Sequence, residues 1–233
     1  MGASPLSRKR GAKGARGLAR SKAYRAPYEK VLIVCEGEKT EPLYFRALRD
    51  HYKINSANIE ICGNCGSDPL GIIRHAKNRY REEKDARDSF DRMFCVFDKD
   101  AHVNYLAAVG VIRGATPKGS YFAITSVPCF EYWLLLRFTY TTKPYDRLPG
   151  NSACEQVQAD LRRYIRDYKK GSKEIFHALR DRLDVAKRNA ARGLQEAKAG
   201  GADNPTTLGT IWWSIFRTSS GRREANPAAI AAI

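Results

Sequence analysis

No run of apolar residues in this chain approaches the ~20 that a membrane-spanning helix needs. The first residues are basic, and no apolar stretch follows them. That pattern argues against a secretory leader and for a cytoplasmic protein. Six cysteines in 233 residues are too sparse for a disulfide scaffold, and Cys35 and Cys95 sit in apolar runs as small core residues. One C-x-x-C is present, Cys62 to Cys65 in "ICGNCGSD". No second paired motif supplies the two further ligands of a structural zinc site, so the stretch reads as a glycine-rich turn. The G-x-G-x-x-G of dinucleotide binding is missing. "GEKT" at residues 37–40 lacks the glycine that a phosphate loop places before its lysine, because Glu38 stands there. His51, His75, His102 and His177 stand singly, leaving a serine or cysteine nucleophile without a base. Tyr44, Tyr80, Tyr105, Tyr132 and Tyr164 lie in amphipathic or apolar stretches and read as packing. No internal repeat is visible.

Acids are the scarcer charge, 25 against 41 Lys and Arg, for a net charge of +16. Half of that excess falls in residues 1–30, where nine Lys or Arg face one acid, Glu29. With Gly, Ala and Ser between them, these residues cannot build a core, and residues 1–29 are expected to form a disordered basic arm. Such an arm suits a phosphate backbone, because each neutralised phosphate releases counterions. The bland alternative is a solubilising tail.

From Lys30 the pattern alternates strand and helix. "KVLIVC" (30–35), "ANIEIC" (57–62), "DRMFCVFD" (91–98) and "SYFAITS" (120–126) read as short strands. The first is continuously apolar, as in a parallel sheet buried on both faces. Between them, "TEPLYFRALRDHY" is predicted helical with Thr40 or Glu41 as cap. The helix after "GSD" has Asp68 as N-cap and Pro69 in its first turn, and a short helix is expected over 101–109. Residues 128–138, apolar nearly all round, read as a buried helix. Beyond Gly150, Ser152 and Glu155 form a capping box opening a helix through Lys170. A second long helix is expected over 172–201, and a last apolar one over 207–217. The fold class is α/β: a mostly parallel, four-stranded, Rossmann-like sheet with helices on both faces and a C-terminal helical extension. The expected divisions are 1–29 (arm), 30–148 (core), 149–219 (extension) and 220–233 (tail).

In such sheets, sites form beyond the carboxyl ends of the strands. The first strand ends in Glu36, the third in Asp98-Lys99-Asp100, and the fourth leads into Glu131. With strand order 2-1-3-4, Glu36 lies roughly 5 Å from the third strand. Carboxylates this close raise one another's pKa, and a divalent cation resolves the conflict, with substrate phosphates completing its shell. The expected site is therefore Glu36, Asp98, Asp100 and Glu131 as catalytic acids, with Glu36, Asp98 and Asp100 holding Mg2+ (or Mn2+). Lys39 and His102 stand beside them for substrate contact, His102 also for proton transfer. Each acid has an ordinary alternative: Glu36 and Glu38 as helix N-terminal charges, Asp98 and Asp100 as loop acids, Glu131 as a first-turn glutamate.

Three blocks, "VLIVCEGEKTEPLYF" (31–45), "MFCVFDKDAH" (93–102) and "ITSVPCFEYWLLLRF" (124–138), the last followed by "TTKPY", together resemble the RloB-like proteins of bacteria. The resemblance implies a Toprim-related fold, which binds magnesium through a glutamate after the first strand and a D-x-D after a later one. Glu36 matches the first feature, Asp98 and Asp100 the second, and Glu131 the P-C-F-E-x-W block. It also implies a role in phage defence, often beside an AAA/ABC-type ATPase. The expectation is a metal-dependent nuclease acting on DNA or RNA, without a membrane and with a possible homo- or hetero-oligomeric state. The alternatives are a non-catalytic nucleic-acid-binding or assembly subunit and, with less support, a strand-transfer or primase activity.

Overall fold

The computed structural model describes residues 29–66, 68–99 and 102–200. The expectations for most of the arm (1–28), for Asp100, for the apolar piece at 207–217 and for the tail lie outside the described residues. Four strands form one sheet: β1 (Val31–Cys35), β2 (Ile59–Cys62), β3 (Arg92–Asp98) and β4 (Tyr121–Ser126). Their order is β2-β1-β3-β4 and every neighbouring pair is parallel. The α/β expectation, its four strands and the order 2-1-3-4 hold.

Parallel neighbours need crossovers, and helices supply them: α1 (Thr40–His51), α2 (Pro69–Asp85) and α3 (Tyr105–Arg113). After β4 come α4 (Phe130–Leu135), α5 (Ala153–Arg162), α6 (Ile175–Leu179) and α7 (Leu183–Gly200). Alternation along β1 splits the core in two. Val31, Ile33 and Cys35 face α1 and α4 to α7, whereas Leu32 and Val34 face α2 and α3. Both faces are covered, which is why β1 reads as continuously apolar rather than alternating. None of the described helices is long and apolar enough to cross a membrane.

Local signals act where they are strongest. The Asp68 carboxylate accepts from the Leu70 and Gly71 amides ahead of Pro69. Ser152 and Glu155 complete the capping box in both directions. At α1 the expected cap fails. Lys39 occupies the cap position without a side-chain bond, and the Thr40 hydroxyl instead accepts from the Gly171 amide at 3.0 Å.

The expected helix through Lys170 stops at Arg162, because the next residues have tertiary partners. Tyr168 is buried and bonds Glu131, and Gly171 (φ +73°) turns the chain onto Thr40. The expected helix over 172–201 is likewise divided, by a 3-10 turn at Arg180–Arg182 between α6 and α7. The helix expected over 101–109 starts later, at Tyr105, since His102 is drawn to Glu36.

All six residues of α4 are buried. Burying side chains such as Trp133 and Phe130 stabilises the fold by about 1.5–3 kcal/mol each. Beside them Arg137, fully buried, donates to Leu179 O and to the Tyr44 hydroxyl, which also accepts from Trp133 Nε1 at 3.0 Å. This knot ties α1, α4 and α6 together under the carboxyl edge of the sheet.

Candidate metal and phosphate site

The β1–β3 ladder runs one bond past the strand, from the Glu36 amide to Val96 O at 3.0 Å. That bond holds Glu36 level with the end of β3. Its carboxylate is then gripped from two sides. Oε2 accepts the Asp98 amide at 3.2 Å, and Oε1 meets His102 Nε2 at 2.7 Å. Asp98 is the last residue of β3, and the Lys99 amide continues the ladder to Ser126 O at 2.9 Å.

A pocket of about 410 Å³ opens over this edge. Glu36, Glu38, Asp98, His102 and Glu131 line it, with Lys39 exposed at its margin. The structure thus brings Glu36, Asp98, Glu131, Lys39 and His102 around one cavity, and Asp100 is the one expected site residue that lies outside the described residues. Glu131, in the first turn of α4, is 1% exposed, and Tyr168 OH donates to its Oε1 at 3.1 Å. Lys170 Nζ stands 3.6 Å from the same oxygen.

The residue-by-residue reading missed Glu41. Along the chain it stands only as a helix cap, yet its side chain is buried and lines the pocket. Gly37 makes the room: a β-carbon there would sit 2.3 Å from Glu41 Oε2. The glycine between Glu36 and Glu38 thus lets a third carboxylate lie against the backbone. The available signal was an acid in the first turn of a helix that leaves the carboxyl end of a central strand. Tyr168, Lys170 and Gly171 were also missed. They come from over 120 residues downstream of Thr40, and only the folded chain shows them facing the site.

The acids compete for protons. Burial pushes Glu41 up to about 7, with Glu131 and Glu36 adding to the effect. Asp98 is raised well above the ordinary range by burial first and then by Glu41, Glu131 and Glu36 among its neighbours. Burial works to lower the Lys170 pKa, but Glu131 and the groups behind it outweigh that and raise it. The donors are all hard oxygens, which is the donor set that suits Mg2+ or Mn2+. Glu36 and Asp98 are placed to hold such an ion, and Glu41 and Glu131 to complete or support its shell.

A family model described as RloB-like protein matches residues 31–210, well over half of the chain. No curated protein and no solved structure matches it.

Proposed function

The chain belongs to the RloB-like protein family, and on that premise we propose that it is a metal-dependent nuclease that hydrolyses phosphodiester bonds of DNA or RNA. The proposed setting is bacterial anti-phage defence, with an AAA/ABC-type ATPase as partner. The observation that carries the reading is the convergence of Glu36, Glu41, Asp98 and Glu131 in one pocket of an otherwise basic protein.

Bound to Glu36 and Asp98, Mg2+ would polarise a phosphate and lower the pKa of a coordinated water. The rest falls to the chain's own groups. Glu36 and His102, in direct contact, form an acid–imidazole pair that can accept the proton of the attacking water. Glu41, buried beside them, can complete the ion's shell or support it. Glu131 is fixed by Tyr168 and Lys170 and supports the ligands from below. Lys39 and Lys170 set positive charge at the mouth, where a phosphate backbone would enter.

The test is cleavage of single- and double-stranded DNA and RNA by the purified chain, with Mg2+, Mn2+ or EDTA, alone and with a co-purified ATPase. Metal-dependent cutting that Asp98→Asn abolishes in a folded protein supports the proposal. Metal-independent cutting, or full activity in that variant, overturns it. Salt-sensitive binding without cleavage under every condition would assign the protein instead to a nucleic-acid-binding subunit.

A further inference from the structure

A second constellation lies behind the acidic pocket. Cys62 ends β2, Cys65 stands in the loop that follows, and His75 lies in the second turn of α2. The two sulfurs and a ring nitrogen of His75 all lie within 4.8 Å of one another. The C-x-x-C that lacked partners in the sequence therefore gains a third ligand from a helix ten residues on.

The loop is built to hold this arrangement. Asn64 adopts a left-handed conformation (φ 58°), which curls the chain so that both thiols face α2. Gly63 is required by contact: a β-carbon there would lie 2.5 Å from Pro42 Cγ and 2.9 Å from Gly37 O. The partners now available to the three groups are poor. Cys62 Sγ reaches Glu60 Oε1 at 3.4 Å, and Cys65 Sγ reaches Gly63 O at 3.5 Å. Glu60 itself is engaged by Arg79 through two bonds of 2.8 Å. His75 Nε2 is buried with no hydrogen-bond partner among the described residues, and a buried polar atom in that state calls for an explanation such as an ion.

We propose that Cys62, Cys65 and His75 form a zinc site, with water in the fourth position, that clips β2 and its loop to α2. Two thiolates and an imidazole favour Zn2+ over the hard Mg2+ expected in the pocket. Tetrahedral zinc would set the sulfurs about 3.8 Å apart and each about 3.6 Å from the nitrogen, so the three atoms need draw in by only about an ångström. Binding converts two thiols to thiolates and releases two protons. The clip also reaches the acidic pocket, because the Asn64 amide donates to Gly37 O at 3.4 Å. Zinc would therefore steady the loop between Glu36 and Glu38 without touching substrate.

The test does not depend on nuclease activity. The untagged full chain, reduced and stripped with chelator, is titrated with Co2+ and then with Zn2+. One equivalent of Co2+ is expected to give thiolate-to-metal charge-transfer absorption and tetrahedral visible bands, displaced by one equivalent of Zn2+ and unaffected by excess Mg2+. The double variant Cys62→Ser, Cys65→Ser should lose the charge-transfer band. His75→Gln should weaken binding about tenfold or more and alter the visible bands. Circular dichroism verifies folding, and if the double variant fails to fold, His75→Gln alone decides. Absence of the band in the folded wild-type chain, its persistence in the double variant, unchanged binding in His75→Gln, or a Cys62–Cys65 disulfide as the only form isolated under reducing conditions would each overturn the site.

Discussion

Two groups of acids sit on the same parallel sheet, and their protons behave in opposite ways. On the β2 and α2 side, Glu60 and Glu83 share Arg79, and Glu83 and Asp88 share Lys30. There the cations hold Glu60 and Glu83 below the ordinary carboxylate range, the Arg79 and Lys30 hydrogen bonds being the largest influence on each. At the carboxyl edge, Glu41 is pushed up by burial and by Glu131 and Glu36, and Asp98 by burial and by Glu41, Glu131 and Glu36. Acids with cations beside them brace the fold. Acids buried together repel one another, an unfavourable interaction that a bound ion relieves. The same residue type therefore marks structure in one region and a candidate site in the other, and the difference lies in the partners.

The sharpest way to break this comparison is to exchange the outcomes. Asp98→Asn should reduce metal-dependent cleavage by about a hundredfold or more, while raising the melting temperature of the metal-free protein by removing a crowded acid. Glu60→Gln should do the reverse, leaving cleavage within about twofold and lowering the melting temperature. A cleavage assay paired with thermal denaturation separates the two, and equal losses of activity in both variants would erase the distinction.

Next in size is the response to pH. A folded-state pKa above the unfolded value means that the native chain holds more protons, so stability falls as pH rises. For Glu41 the window runs from its ordinary 4.5 to about 7, and the loss is on the order of 3 kcal/mol. Asp98 acts in the same direction. Denaturant melts without metal should show stability declining across that window. Mg2+ should restore more at pH 8 than at pH 5, and Glu41→Gln should flatten the slope. A metal-free protein that grows more stable over the window would contradict the crowding argument.

Smaller effects probe the braced side. Arg79→Met leaves Glu60 without its two bonds and Glu83 with Lys30 alone. The partly exposed positions imply a loss of about 1–2 kcal/mol in urea unfolding, with cleavage intact. Smallest is Ser152→Ala, which removes the hydroxyl that accepts from the Glu155 amide. It should cost about 1 kcal/mol with no change in pH response.

Much of this architecture could be read in advance, because it depends on short-range patterns. Short strand-like runs located the four strands, and Asp68-Pro69 and Ser152–Glu155 located two helix starts. Strands alternating with helices imply a parallel sheet, and strand ends at Glu36 and Asp98 then fall at one edge. Three features resisted such reading. Glu41 belongs to the pocket because Gly37 leaves a space for it. The helix after Ser152 ends early because Tyr168 and Gly171 find partners on α4 and α1. His75 joins Cys62 and Cys65 because α2 folds back against β2.

By itself the sequence determined which segments become strands, which helices cover them, and at which end of the sheet the acids gather. Those outcomes follow from hydrophobic period and capping, which act over a few residues. Tertiary structure alone decided which acids are buried together, which distant lysine and tyrosine face them, and which histidine meets the paired cysteines. Desolvation and charge pairing depend on distance in space, and separation along the chain does not encode that distance.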